Sequence, residues 1–172
     1  MLDKLQAIEE RFDQLGEELL VVGSDYQRAG EINKERVDLE PLIAKARERN
    51  DPRSDFAGGF VRPARGRISG VFGSQRVLNG EPKSPHMGLD IAAPVGTAIT
   101  APAPGVVTLV HPDMLLTGQS VVVDHGHGVS SVYIHMSRTD VVEGQKLKAG
   151  DPIGAIGMTG RASGPHLHWG LN

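Results

Sequence analysis

The chain has 172 residues, 39% hydrophobic and 23% charged, with a formal net charge of −3. The length suits one domain with an appendage or two small domains, and the charge balance carries no nucleic-acid footprint. There is no cysteine, which excludes a disulfide framework and thiolate metal sites, so any transition metal must be held by histidine and carboxylate.

Composition breaks near residue 50. Residues 1–50 hold three of the 22 glycines, one of the 11 prolines, and 8 Lys and Arg against 12 Asp and Glu. Residues 51–172 hold the other 19 glycines, ten prolines and all seven histidines, with 10 basic against 9 acidic side chains. The break predicts a helical segment over 1–50, a linker over 51–62 and a β-rich domain over 63–172, an α+β chain overall.

The N-terminal stretch MLDKLQAIEERFDQ is charged throughout and has no signal-peptide core, and no apolar run reaches membrane-spanning length. Leu5, Phe12 and Leu19 fall seven apart, as do Ile8, Leu15 and Val22, the seam of a helical hairpin or coiled coil that offers a self-association surface. Gly23-Ser24-Asp25 interrupts the seam, and Ser24 with Gln27 fits a capping box opening a second helix, with Ile32, Leu39 and Ala46 as its stripe. MLDKLQAIEERFDQLGEELL and INKERVDLEPLIAKARE resemble the opening of bacterial peptide chain release factors. No Gly-Gly-Gln occurs in the chain, so the resemblance implies no translation function.

Beyond residue 62 short β-type runs (ISGVFG, GVVTLVH, SVVVDH, VSSVYIHM) alternate with Gly and Pro, the spacing of an antiparallel, sandwich-like β domain. SPHMGLDIAAP places His86 and Asp90 four apart in what reads as a tight loop entering a strand. DHGHG places His125 and His127 at i and i+2, but its glycines mark a hairpin turn with side chains toward solvent. His111, before Pro112, reads as a loop residue. Tyr133 and His135 share a strand face if alternation holds, which would bring Tyr133 to the same cleft or leave it packing. In SGPHLHWG, His166 and His168 project side by side from a strand while Leu167 points into the core. A catalytic zinc commonly has three protein ligands and an open water position, and His-x-His joined to His-x-x-x-Asp can supply the ligands.

PHMGLDIAAPVGTAITAPAPGVV, VVVDHGHGVSSVYIHMS and GAIGMTGRASGPHLHWG resemble the LytM/lysostaphin-type zinc metallopeptidases, which cut peptidoglycan peptides, from about Val61 onward. The resemblance implies a zinc endopeptidase of the cell envelope or exterior with a peptidoglycan substrate. It implies His86, Asp90 and His168 as zinc ligands and His135 and His166 as the catalytic pair; the sequence does not divide the labour in that pair, but His166 is the expected base because its strand neighbour holds the metal. ISGVFG resembles the first strand of that family, at the edge of the substrate groove, and Arg161 and Ser163 fall where they would touch substrate. The competing class is a non-catalytic envelope module that binds peptidoglycan or a partner hydrolase. VVEGQKLKAGDPIGAIG is similar to half of a biotinyl or lipoyl carrier domain, but the lysine signature at a hairpin tip is missing.

Overall fold

The structure, a computed structural model, describes residues 11–12, 14–19, 21–23, 25–47, 51–78, 81–83 and 85–171. Residues 14–19 are helical, and helix α1 follows over Tyr26–Arg47. Asp25 caps α1: its Oδ1 accepts the Arg28 N–H at 3.0 Å and its carbonyl accepts the Ala29 N–H at 2.9 Å. The expected cap, Ser24, lies outside the described residues, as do Leu5 and Ile8 of the heptad seam; Leu39 and Ala46 lie outside the described side chains. Arg11 bonds Glu35 at 3.0 Å and Arg28 bonds Glu18 at 3.1 Å, lacing the two helical runs. Such part-exposed pairs are worth at most about 1 kcal/mol each. Burial of Leu15 and Ile32, both essentially inaccessible, contributes more, about 1.5–3 kcal/mol apiece. Among the described residues no helix is long and apolar enough to cross a membrane.

The remainder is antiparallel β. Strands β1 Arg67–Gly70, β2 Arg76–Leu78, β3 Glu81–Lys83, β4 Leu89–Ala92, β5 Ala98–Thr100, β6 Gly105–Met114, β7 Gly118–Gly126, β8 Val129–Thr139, β9 Lys146–Leu147, β10 Pro152–Ile156 and β11 His166–Leu171 follow in order. All but the β2–β3 hairpin join one sheet, ordered β1-β4-β11-β8-β7-β6-β9, with β10 pairing β5 and β8. Where two facing layers are expected of a sandwich, a single branched sheet carries a main core, with a smaller cluster of Leu109, Met114 and Val122 apart from it. Ile91, Ile99, Val107, Val121, Val123, Ile153 and Leu167, from six strands and their flanks, meet in one cluster. His111 sits within β6, its Nδ1 accepting the Asp113 N–H at 3.2 Å.

The branch lies on β8. Its first half pairs with β11 from Ser131 to Ile134, and its second half pairs with β10 from Met136 to Thr139. His135 stands between the two, with φ of 64°. A left-handed non-glycine residue is uncommon, and here it reverses the alternation of side chains at the point where the neighbouring strand changes.

Residues 51–62, expected as a linker, are held against the β7–β8 turn. Arg53 bonds Asp51 at 2.7 Å, Asp55 at 2.5 Å and the buried Asp124 at 2.5 Å. The His127 N–H donates to the Asp51 carbonyl at 2.9 Å, and the Phe60 ring meets His125 edge-on at 5.0 Å. At the other end of the molecule the Leu115 N–H donates to Asp38 Oδ2 of α1 at 2.9 Å, so the helix abuts the β6–β7 turn.

Candidate metal centre and cleft

The β4–β11 register builds the centre. His168 lies directly opposite Asp90, and His166 opposite Ala92. Paired residues share a face, while Leu167 and Ile91, one position along, are fully buried on the other. His86 arrives from the loop before β4. Its backbone N–H donates to the Ser74 carbonyl at 2.9 Å and its carbonyl accepts the Gly73 N–H at 2.7 Å, which fixes the loop to the segment after β1.

Three potential ligand atoms converge. Asp90 Oδ1 lies 2.9 Å from His86 Nε2 and 2.8 Å from His168 Nδ1, and the two nitrogens are 3.0 Å apart. His86 Nδ1 is 3.0 Å from the Val71 carbonyl. A carbonyl only accepts, so Nδ1 carries a proton and Nε2 is turned inward. Two imidazole nitrogens and a carboxylate oxygen this close either share protons or hold a cation between them. The two-nitrogen, one-oxygen donor set suits zinc, whose tetrahedral ligands at about 2.0–2.1 Å stand about 3.3 Å apart. Burial works against ionisation of Asp90, but the hydrogen bond from His168 and the charges of His168, His86 and His166 outweigh it and hold the carboxyl below its ordinary pKa.

Two glycines leave room for this cluster. A Cβ on Gly88 would fall 2.6 Å from His168 Nε2, and one on Gly70 would fall 2.5 Å from Asp90 Oδ2. Neither glycine stands out from composition. Gly88 is legible only as the middle of His-x-Gly-x-Asp.

Beside the cluster His135 and His166 face each other, ring centroids 4.7 Å apart. His135 Nδ1 lies 2.8 Å from the Thr159 carbonyl and His166 Nδ1 lies 2.8 Å from the Gly164 carbonyl. Each ring therefore commits Nδ1–H to the backbone and keeps Nε2 for other work. Burial, helped by His166 and His168, lowers the pKa of His135 against the opposing pull of Thr159 and Asp90. The carbonyls of Val71, Thr159 and Gly164 escape sequence reasoning because a backbone oxygen leaves no signal of its own.

All five histidine and aspartate residues singled out in the sequence line one open cleft, with Ser69, Leu116, Thr117, Ile134, Arg161 and Ser163 among its other walls. Tyr133 does not reach it. The left-handed turn at His135 puts Ile134 and His135 both on the cleft and leaves Tyr133 in the core, fully buried. Its hydroxyl bonds Ser131 Oγ at 2.8 Å, which bonds His125 Nε2 at 2.8 Å, and burial pushes the phenol far above its ordinary pKa. His125 is likewise fully buried, a correction to the solvent-facing turn expected of it, while His127 is exposed.

Imidazoles and one carboxylate gathered on the face of a β-sheet are the working parts of metal-dependent hydrolases as a class. The comparisons narrow the class. Residues 84–172 match peptidase family M23, and the chain belongs to that family. It is 42% identical over 90 residues to the peptidoglycan DD-endopeptidase ShyA of Vibrio cholerae, a match covering 51% of this chain and 20% of ShyA. A crystal structure of an M23 peptidase from Pseudomonas aeruginosa superposes with a TM-score of 0.71 at 37% identity, over 83% of this chain and 57% of that one. A zinc-containing peptidase from Vibrio cholerae gives 0.59 at 29% identity, over 72% and 37%. The chain spans about a fifth of the length of curated relatives such as ShyA.

Proposed function

We propose that this chain is a zinc-dependent endopeptidase that hydrolyses peptide bonds of peptidoglycan, acting in the cell envelope or outside the cell. The convergence of His86 Nε2, Asp90 Oδ1 and His168 Nδ1 within 3.0 Å of one another carries the reading. Similarity to a named DD-endopeptidase and to a zinc-containing peptidase supports it.

His86, Asp90 and His168 would hold the ion. Zinc, when bound, supplies Lewis acidity toward a scissile carbonyl and lowers the pKa of water to about 7. His135 and His166 do the proton work. One accepts the proton of the attacking water at Nε2 and delivers it to the departing amine. The other donates from Nε2 to the oxyanion that develops on the scissile carbonyl. The lowered pKa of His135 leaves its Nε2 unprotonated at neutral pH and suited to the accepting part. The Thr159 and Gly164 carbonyls fix both rings before substrate arrives. The helical runs over 14–19 and Tyr26–Arg47 would offer a surface for self-association.

Cell-wall material embedded in a gel tests the reading. The wild-type chain is expected to clear it, and H86A or a chelator to stop clearing. Normal wall binding by the wild type without clearing would leave only a binding module.

A further inference from the structure

The cleft holds cationic side chains that the metal centre and the histidine pair do not use. Arg161 lines it, and its backbone N–H is pinned to the Leu116 carbonyl at 2.9 Å. Among the described residues its guanidinium makes no ion pair or hydrogen bond. A second arginine follows from the register. Arg67 on β1 pairs with Ala92, which pairs with His166 across β4. Ala92 and His166 both line the cleft, so Arg67 stands on that same face at the sheet edge. It lies two strands, about 10 Å, from the histidine pair. It too is exposed and makes no ion pair among the described residues. Against these two charges the described cleft walls offer one carboxylate, Asp90, already engaged by two imidazoles. A bound divalent cation would add to the positive field.

Solvated surface arginines are commonplace and need no ligand. These two share the face that carries the proposed chemistry, and nothing in the described walls neutralises them. A peptide neutral around its scissile bond would gain nothing from them. A carboxylate there would meet a planar, permanently charged donor fork able to bind both its oxygens. Resting on the endopeptidase reading, we propose that Arg161, seconded by Arg67 at the sheet edge, selects peptides bearing a free carboxylate close to the bond that is cut.

A set of three synthetic cross-linked peptides tests this: one with its C-terminal and side-chain carboxylates free, one amidated at the C-terminus, one amidated at the side chain. The zinc-loaded full chain is expected to prefer the free acid by roughly tenfold in kcat/KM. The amidation that removes the preference identifies which carboxylate is read. In R161Q the ratio falls toward one, in R161K it stays intermediate, and R67Q lowers it by roughly twofold. Raised ionic strength shrinks the wild-type ratio. A wild-type ratio near one, or a ratio unchanged in R161Q, overturns the proposal. If no peptide is cut, the endopeptidase reading is what has failed. Fluorescence anisotropy of the same labelled peptides then decides the carboxylate preference, and equal affinity for acid and amide rejects it.

Discussion

Two stretches of the chain carry histidines at i and i+2, DHGHG and PHLHWG, and the fold uses them in opposite ways. In β11 the backbone stays extended, so His166 and His168 emerge on one face, the first toward His135 and the second toward Asp90. In the other stretch the chain leaves β7 through Gly126, His127 and Gly128, all with positive φ. His125 turns inward, bonding Pro104 at 2.5 Å and Ser131 at 2.8 Å, and His127 turns out. A spacing of two aligns side chains only while the strand persists. One pair lies among groups that want a cation. The other contributes a buried ring that must stay neutral.

Substitutions should separate the two pairs sharply. H168A is expected to empty the centre, lowering zinc affinity by well over the roughly 10–100-fold that loss of a supporting contact costs, and to abolish hydrolysis. Metal content of the purified protein checks this. H125A should keep its metal, and a folded H125A as metal-free as H168A would break the contrast. G88A crowds both the His168 ring and the Trp169 carbonyl of β11 and is expected to weaken zinc by roughly 10–100-fold, read by competition with a chromophoric chelator. H125A takes one of two buried partners from the Ser131 hydroxyl and the ring donor from the Pro104 carbonyl, and should cost about 1–3 kcal/mol in urea unfolding.

Acid should act on the same ring. Burial, the first cause, lowers the folded-state pKa of His125 against the Pro104 carbonyl and the charges of Asp124 and Asp55. The unfolded chain therefore binds this proton first. The contribution of the neutral ring is complete above about pH 6.5 and declines as pH falls below it. The unfolding midpoint, with chelator in every sample, should drop between pH 7.5 and 5.5 by more in wild type than in H125Q. H127A, at the exposed turn, should change stability by less than about 0.5 kcal/mol.

The residues of the proposed ligand set could be picked out because their pattern is local or periodic. His-x-Gly-x-Asp and His-x-His name the residues, and strand alternation places the second pair. Alternation left Tyr133 open between the cleft and the core, since nothing local announces that His135 is left-handed. Its conformation is set by a change of neighbour from β11 to β10, a pairing between residues far apart in the chain. The burial of His125 was hidden likewise: its cover comes from Phe60 and Pro104. Periodicity marked helix in the first run, where Leu15 is buried and Phe12, Leu19 and Val22 are half-buried, and in the second stripe, where Ile32 is buried, but periodicity alone could not show α1 resting against Leu115.

The clasp around Arg53 changes where the β-rich half of the molecule begins. Trimming the chain at residue 63, where the β-rich domain is expected to begin after the linker, would strip the guanidinium from Asp124 and the phenyl ring from His125. It would also bare Gly126, which the Arg53 backbone packs against so closely that no side chain fits there. An excised fragment starting at residue 51 keeps its seal, whereas one starting a dozen residues later exposes an acidic, histidine-bearing flank to water.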